Sequence, residues 1–188
     1  MWKTLDLSFA SRLSCKNCGC VSVKPEHLSA LPLDLPDEPC SVEVLLANQW
    51  GEQPLKAGDD PYRCPREPPC STAAIVTRTV TPTTWPKTLI LSLKRFRAQL
   101  NLGRFSQKKV PTHVSFETVL LPHTDAPPYH LKGVIEHHGE HATGGHYTSR
   151  VRASDNYWYH CDDVLCPRRT STEETLKAQA YVLIYERT

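Results

Sequence analysis

The residues best placed by type and spacing to do chemistry are a histidine and two aspartates in the last third of the chain. His146 follows two glycines in residues 144–150 (GGHYTSR), and Asp162 and Asp163 close residues 157–163 (YWYHCDD). Both stretches are strand-like, and a short turn separates them. If the two strands pair, His146 and one carboxylate meet at the same end of a sheet. That is how a base and its orienting group are arranged for a nucleophile.

Four of the eight cysteines fall into two pairs. Cys15 and Cys18 form a CxxC pair, and Cys64 and Cys70 form a looser pair farther along the chain. Because tetrahedral zinc commonly takes its ligands as two close pairs, the pattern predicts a structural zinc site. The alternatives are ordinary thiols, or a redox CxxC, which the absence of a βαβ pattern disfavours. The remaining cysteines are interpreted as core or surface thiols: Cys20, Cys40, Cys161 and Cys166.

Composition indicates a globular chain. The 188 residues are 39% hydrophobic and 22% charged, which excludes the disordered and membrane-embedded classes and predicts one domain. The net charge of +2 is too small to indicate a nucleic acid or an anionic membrane as partner. The first residues lack the apolar region of a signal peptide, so we expect a reducing compartment, the cytoplasm or the nucleus.

The local patterns are rich in strands. Strand-like runs cover residues 20–23, 31–35, 74–80, 88–96, 129–136, 146–152, 157–160 and 181–185. The run at 31–35 has the pattern of a half-buried or edge strand, and the run at 88–96 predicts cover on both faces. Short helices are predicted over 41–50 and from the capping box at Ser171 through Gln179. Residues 139–145 are predicted as a loop and 153–156 as a tight turn. The fold class predicted is α+β, dominated by antiparallel sheet.

The order of these motifs resembles that of a known family. The most specific stretch is Pro86–Phe96 (PKTLILSLKRF). Before this stretch come the cysteine pairs and Leu31–Pro36. After it come, in order, Tyr129–Gly139, the Gly-His-Tyr triplet, Trp158–Val164 and a closing strand at 180–185. In this order, residues 13–187 resemble the C-terminal two thirds of the catalytic domain of the ubiquitin-specific proteases, which are papain-like thiol proteases.

The resemblance implies an architecture and a site. Residues 13–80 would form zinc-finger-like fingers, with zinc on the four paired cysteines, and residues 86–188 a sheet-rich palm, while the helical thumb is missing. His146 would be the general base and Asp162 its orienting carboxylate, with Asp163 and His137 as candidate supporting residues. Gly144 and Gly145 would leave room for a substrate backbone.

The implied activity is thiol-dependent hydrolysis of the isopeptide bond after the C-terminal glycine of ubiquitin. The implied partners are ubiquitin and ubiquitinated proteins, with no nucleic acid and no membrane.

The chain departs from the family at the nucleophile. No segment matches the family's Asn-x-Gly-Asn-Thr-Cys cysteine box. Cys161 is a poor substitute because adjacent residues of a strand point to opposite faces, which turns it away from Asp162. We therefore expect either a part of a longer protein or a catalytically inactive relative. The alternative function is a non-catalytic ubiquitin-binding or scaffold module.

Overall fold

The computed structural model describes residues 4–55, 64, 66–70, 75–101 and 104–187. The strands up to residue 101 are β1 (Leu7–Cys15), β2 (Val21–Leu28), β3 (Leu31–Asp34), β4 (Cys40–Ser41), β5 (Gln53–Leu55), β6 (Val76–Thr84), β7 (Thr88–Lys94) and β8 (Phe96–Asn101). The later strands are β9 (Arg104–Lys109), β10 (Val114–Ser115), β11 (Val119–Leu120), β12 (Tyr129–His141), β13 (Gly144–Arg152), β14 (Trp158–Asp162), β15 (Leu165–Thr170) and β16 (Ala180–Arg187). Two helices are described, α1 (Val42–Trp50) and α2 (Thr172–Leu176). Neither has the length and apolar character that crossing a bilayer requires.

An eight-stranded sheet carries most of the chain's second half. Its order is β15-β14-β13-β12-β16-β7-β3, with β11 pairing beside β12. Every pairing in it is antiparallel except that of β3 with β7, which is parallel. The α+β class with dominant antiparallel sheet is thus confirmed, and β3 is the edge strand that the pattern at 31–35 predicts.

The core lies mainly on one face of this sheet. Leu89, Leu91 and Leu93 of β7 are fully buried and belong to one cluster with the apolar side of α1. The alternate residues Ile90 and Ser92 are only half-buried. The prediction that β7 is covered on both faces is therefore wrong, because its buried side chains alternate as in a strand with one face on the core.

Both predicted helices are present with their caps. The Ser41 hydroxyl accepts a hydrogen bond from the Val44 N–H at the start of α1. At α2, Ser171 and Glu174 form the predicted capping box. The second helix ends at Leu176, earlier than predicted. Beyond it the Gln179 N–H donates to the Glu136 carboxylate at 3.1 Å, which turns the chain into β16.

A four-stranded sheet of order β2-β1-β6-β5 makes up the second layer of strands. Strand β1 was not among the sequence predictions, although Leu7 and Phe9 are buried in the core. Its residues SFASRLS mix small, polar and apolar types without clear alternation, which hides the strand from pattern analysis.

A long hairpin of β12 and β13 replaces the predicted loop at 139–145. Strand β12 continues to His141 and β13 begins at Gly144, so only two residues form the turn. The register shifts between His138 and His141, which marks a bulge. Gly139 lies in this bulge with φ +142°, a conformation that L side chains rarely adopt. The loop prediction was wrong because Gly139 does not end the strand; it occupies the bulge, and the two strands continue to pair beyond it.

The two glycines at the start of β13 differ in their surroundings. A Cβ added to Gly145 would lie 2.4 Å from the His137 Nε2 and 2.5 Å from the His138 carbonyl oxygen. A Cβ added to Gly144 would meet no atom within 4 Å. The His137 imidazole therefore packs directly on the backbone of Gly145. Position 145 has no room for a side chain, whereas position 144 does.

Arg95, between β7 and β8, is the largest fully buried side chain among the described residues. Its Nε donates to the Ala180 carbonyl at 2.6 Å, and its Nη1 donates to the carbonyls of Val110 at 3.2 Å and Thr112 at 2.8 Å. Burial lowers the pKa of this guanidinium below its usual value. Arg95 thereby joins the start of β16 to the segment after β9.

We predict that Arg95→Met lowers the free energy of unfolding by about 3 kcal/mol, because buried carbonyls lose their donor. Urea denaturation of the 188-residue chain measures the change. The matched control is Lys94→Met, which removes only an exposed ion pair of 3.0 Å with Asp34 and should cost about 0.5 kcal/mol or less. Equal losses in the two variants would contradict the structural role of Arg95.

A second pair of variants tests the hairpin. Gly145→Ala should lower the free energy of unfolding by about 1–3 kcal/mol, because the new methyl group displaces the His137 ring or the β12 backbone. Gly144→Ala should change it by about 0.5 kcal/mol or less, because its methyl group enters open space. Urea denaturation of both variants provides the comparison. If Gly144→Ala cost as much as Gly145→Ala, the packing of His137 on the hairpin would be misassigned.

Candidate catalytic site

Strands β13 and β14 bring the histidine and the aspartate together. Thr148 lies directly opposite Asp162 in the antiparallel register, and His146 is two residues before Thr148 on the same face. The His146 Nε2 and the Asp162 Oδ1 are 2.9 Å apart. The histidine side chain is 46% exposed and the aspartate 22%, so the pair lies at the surface with its carboxylate partly covered.

The geometry determines which ring nitrogen is free. A neutral imidazole carries one N–H donor and one acceptor nitrogen. With Nε2–H donated to the Asp162 carboxylate, Nδ1 of His146 is the acceptor. The pair can thus take a proton at Nδ1 while the carboxylate holds the ring and stabilises the imidazolium.

His137 lies on the opposite face of the hairpin from this pair. It pairs across the strands with Tyr147, and its ring contacts the rings of Tyr147, Phe96 and Tyr181 at centroid distances of 4.8, 5.4 and 5.8 Å. Burial, with the nearby Lys109 ammonium and His138 as smaller causes, lowers the pKa of the His137 imidazole. Any support it gives to His146 passes through the backbone of Gly145, on which it packs.

His138, which the sequence analysis did not select, is the histidine beside His146. The two residues are directly opposite each other in the register of β12 and β13. Their rings are 27° from parallel, with centroids 6.3 Å apart. The period of two along β12 was the available signal, because it separates His138 from His137 by face. The sequence alone did not give the register that decides which of them faces His146.

Asp163 follows Asp162 in the exposed turn between β14 and β15. No side-chain partner is found for it among the described residues. Its position next to the pair leaves it a candidate supporting residue.

The four paired cysteines form one cluster, as their spacing predicts. Their sulfur atoms all lie within 4.8 Å of one another. The Sγ atoms of Cys15 and Cys70 are 3.7 Å apart, and those of Cys18 and Cys64 are 3.5 Å apart. Two of the thiols are buried and two are exposed.

The backbone around the first pair is organised as a tight turn. The Gly19 N–H donates to the Cys15 carbonyl at 2.9 Å, with Gly19 in the left-handed region at φ +71°. The Asn17 side chain accepts a hydrogen bond of 3.0 Å from the N–H of Ile75, which ties the turn to the start of β6. These hydrogen bonds define the local conformation of the turn.

The two thiols of the second pair differ: backbone groups favour the thiolate of Cys64, whereas the neighbouring Cys18 thiol and burial raise the pKa of Cys70 to about 12. The N–H groups of Cys70 and Arg66 point to the Cys64 sulfur and lower the pKa of this thiol to about 6. Four thiolates this close together repel one another unless a cation lies between them. The cluster can therefore hold a thiophilic metal ion.

None of the other cysteines in the described part of the chain hydrogen-bonds the histidine–aspartate pair. Among the described residues, no thiol hydrogen-bonds His146. The Cys161 sulfur instead faces the Tyr159 carbonyl at 3.9 Å, and Cys161 pairs across the strands with Ser149. As the alternation of the strand predicts, it is on the face opposite Asp162.

Comparison with known proteins supplies the wider context of this site. Residues 1–185 match the family model of ubiquitin carboxyl-terminal hydrolase. The chain is 31% identical over 185 residues to ubiquitin carboxyl-terminal hydrolase 44 of Danio rerio, covering 86% of this chain and 25% of that protein. It is 31% identical over 196 residues to ubiquitin carboxyl-terminal hydrolase 5 of Saccharomyces cerevisiae, covering 95% of this chain and 24% of that protein. The chain thus spans about a quarter of the length of these relatives.

Solved structures share the fold. A chain of the yeast SAGA DUBm superposes with a TM-score of 0.85 and 26% identity, covering 99% of this chain and 41% of that one. A chain of the SAGA DUB module bound to ubiquitin aldehyde superposes with a TM-score of 0.80 and 26% identity, covering 99% and 42%. The extent of the family match and the identity to its named members show that this chain belongs to the ubiquitin carboxyl-terminal hydrolases, a family of cysteine-type deubiquitinases.

Proposed function

We propose that this chain supplies the base and its orienting carboxylate to a thiol-dependent deubiquitinase. The reaction is hydrolysis of the isopeptide bond after the C-terminal glycine of ubiquitin. The observation that carries the proposal is the 2.9 Å contact of His146 with Asp162 at the end of two paired strands. The partners are ubiquitin and ubiquitinated proteins, in keeping with a similar module that is described as bound to ubiquitin aldehyde.

Each residue then has a defined role. The Nδ1 of His146 takes the proton of a cysteine thiol, and the thiolate attacks the carbonyl carbon of the glycine. The imidazolium returns the proton to the leaving lysine amine, and water later hydrolyses the thioester with the same imidazole as base. Asp162 holds the ring and stabilises its charge throughout. Asp163 is a neighbouring polar group at the mouth of the site.

The thiol itself is proposed to come from residues outside these 188. Four cysteines are committed to one cluster, and Cys161 is on the wrong face of β14. Because the His146 side chain is 46% exposed, a nucleophile from another segment can approach its ring. The missing thiol also favours the alternative function, a non-catalytic ubiquitin-binding or scaffold module.

The architecture proposed is that of fingers and palm. Residues 13–80 would form the fingers, built on β1, β2, β5 and β6 with the cysteine cluster at one end. Residues 86–188 would form the palm, with seven strands of the eight-stranded sheet that carries the histidine–aspartate pair; the eighth, the edge strand β3, comes from within 13–80. The helical thumb of a papain-like protease is absent from the described residues. Location in the cytoplasm or nucleus fits the use of unpaired thiols.

We propose that the cysteine cluster binds one structural zinc ion. Four sulfurs at a Zn–S distance of about 2.3 Å in a tetrahedron are about 3.8 Å apart. The two separations of 3.5 and 3.7 Å are close to this value, and all the sulfur atoms lie within 4.8 Å of one another. Bound zinc would offset half of the charge of four thiolates and join the CxxC turn before β2 to the segment that precedes β6.

In a natural form of the protein that cleaves a fluorogenic ubiquitin amide, Asp162→Asn should lower kcat by about 10²–10⁴-fold with KM changed about twofold or less. His146→Ala should lose a similar factor, because the proton acceptor is gone. The matched control is Asp155→Asn in the turn before β14, where the carboxylate accepts hydrogen bonds from the Tyr159 hydroxyl and the Tyr157 N–H. Steady-state kinetics that show full kcat in Asp162→Asn would contradict the assigned role.

The two candidate functions separate when the 188-residue chain meets a ubiquitin vinyl sulfone probe. The enzyme proposal expects non-covalent ubiquitin binding with no adduct, and adduct formation only when the thiol-bearing segment is joined to the chain. An adduct with the chain alone would show that it holds the nucleophile after all. If a complete natural form bound ubiquitin and never reacted, the scaffold function would replace the enzyme.

For zinc, the purified chain should contain about one equivalent of metal, lost on chelation together with part of the fold. Cys18→Ser should lose the metal, because a hydroxyl group replaces one thiolate ligand. The matched control is Cys166→Ser, which changes an exposed thiol of β15 outside the cluster and should keep the metal. Elemental analysis that finds no zinc in the folded chain would disprove the site.

A further inference from the structure

A bulge in β15 lies opposite the last turn-ward residues of β14. The register of the two strands shifts by one residue between His160 and Asp162. Over this stretch β14 advances by two residues and β15 by three, so Cys166 and Pro167 of β15 stand against Cys161 alone. Pro167 suits a bulge because it has no N–H to donate to the strand pairing. The bulge thus places two cysteines of neighbouring strands opposite each other.

The two cysteines also lie on the same face of the sheet. Leu165 and Arg168, which flank the bulge, have partners two residues apart on β14 and therefore share the face of Asp162. Each of the two residues between them is adjacent to one of these and points to the other face. Cys161 is next to Asp162 on β14, so it points to that other face as well. The side chains of Cys161 and Cys166 therefore stand side by side.

The backbone spacing at this position suits a disulfide bond. Residues opposite each other in antiparallel strands have Cα atoms about 4.5–5.5 Å apart, within the range of about 4.4–6.8 Å that disulfides use. Both thiols are free, with Cys166 exposed and Cys161 half-buried. The Cys161 sulfur lies 3.9 Å from the Tyr159 carbonyl, a weak contact that rotation about the Cα–Cβ bond releases. Such a rotation can bring the two sulfur atoms together while the strands stay paired.

We propose that Cys161 and Cys166 form a reversible disulfide across β14 and β15, with oxidised glutathione as the oxidant. The thiolate of the exposed Cys166 attacks one sulfur of oxidised glutathione, which forms a mixed disulfide and releases one glutathione thiolate. The thiolate of Cys161 then attacks the Cys166 sulfur and releases the second. The protein loses two electrons and two protons, and one oxidised glutathione becomes two molecules of reduced glutathione.

The bond would join the edge strand to the strand that ends in the candidate catalytic carboxylate. Strand β15 is at the edge of the eight-stranded sheet, and most of its side chains are exposed. A disulfide that the fold favours stabilises the fold by the same factor, so the oxidised chain would hold β15 on β14 more firmly. In a reducing compartment the bond would be transient and would form when oxidised glutathione accumulates. The inference concerns two thiols that the proposed catalysis does not use.

Mass spectrometry of the tryptic peptide 153–168 tests the proposal, because this peptide contains both cysteines and no others. The 188-residue chain is equilibrated with mixtures of reduced and oxidised glutathione, its free thiols are blocked with N-ethylmaleimide, and it is digested. The disulfide appears as an unlabelled peptide that is lighter by two hydrogen atoms. We expect the equilibrium constant for its formation to be about tenfold or more higher in the folded chain than in concentrated urea.

Cys166→Ser is the control, in which Cys161 can only remain free or carry a single glutathione. An equilibrium constant that is the same in urea would show that nearness in sequence alone joins the two cysteines, and it would overturn the proposal. Glutathione on each of the two cysteines of the folded chain, in place of a bond between them, would also overturn it. Because no ubiquitin is present, this failure would leave the deubiquitinase proposal standing, and the converse also holds.

Discussion

The register between β13 and β14 is the constraint on which the site depends. A strand repeats every two residues, so a shift of one residue would send Asp162 to the face opposite His146. The register is fixed from both ends. At one end Trp158 is buried at 3% exposure, and the turn before it has Asn156 in the left-handed region with φ 65°. At the other end the hairpin of β12 and β13 fixes the start of β13, because the His137 ring packs on Gly145. The 2.9 Å contact of His146 with Asp162 is thus set by packing on both sides of the pair.

This arrangement divides the hairpin into a packing face and a chemical face. His137 and Tyr147 lie with Phe96 and Tyr181 on the packing face, while His138, His146 and Thr148 share the other with Asp162. The faces depend on each other, since the aromatic cluster can only hold His137 if Gly145 has no side chain. Farther along the sheet, Arg95 ties the start of β16 to the segment after β9 through backbone carbonyls. These hydrogen bonds hold β16 in place. Because β16 pairs with β12, they also help to position the hairpin of β12 and β13.

Much of this was accessible from the sequence, for identifiable physical reasons. Two features depend on residues close together in the sequence and could therefore be predicted from it. They are the capping box at Ser171 and the strand pairing that joins His146 to Asp162. The gathering of Cys15, Cys18, Cys64 and Cys70 follows from the geometry that four metal ligands require. The assignment of His137 and His138 to faces could not be read, because it depends on a bulge whose place is set by tertiary packing. Strand β1 escaped notice because its stabilisation comes from pairing with β2 and β6 and not from its own pattern. The burial of Arg95 could not be predicted either. Its partners are backbone carbonyls, which every residue has, so the sequence does not indicate which of them it contacts.

In the proposed site, Asp162 fixes His146 with its proton on Nε2 and leaves Nδ1 as the acceptor for a thiol. Two-bond ¹⁵N–¹H correlation spectra of the imidazole groups in mildly alkaline buffer observe this directly, because they distinguish the two neutral tautomers. We expect His146 to show the Nε2–H tautomer in the wild-type chain and a mixture of tautomers in Asp162→Ala. A wild-type His146 with its proton on Nδ1, or one whose tautomer is unaffected by Asp162→Ala, would contradict the account.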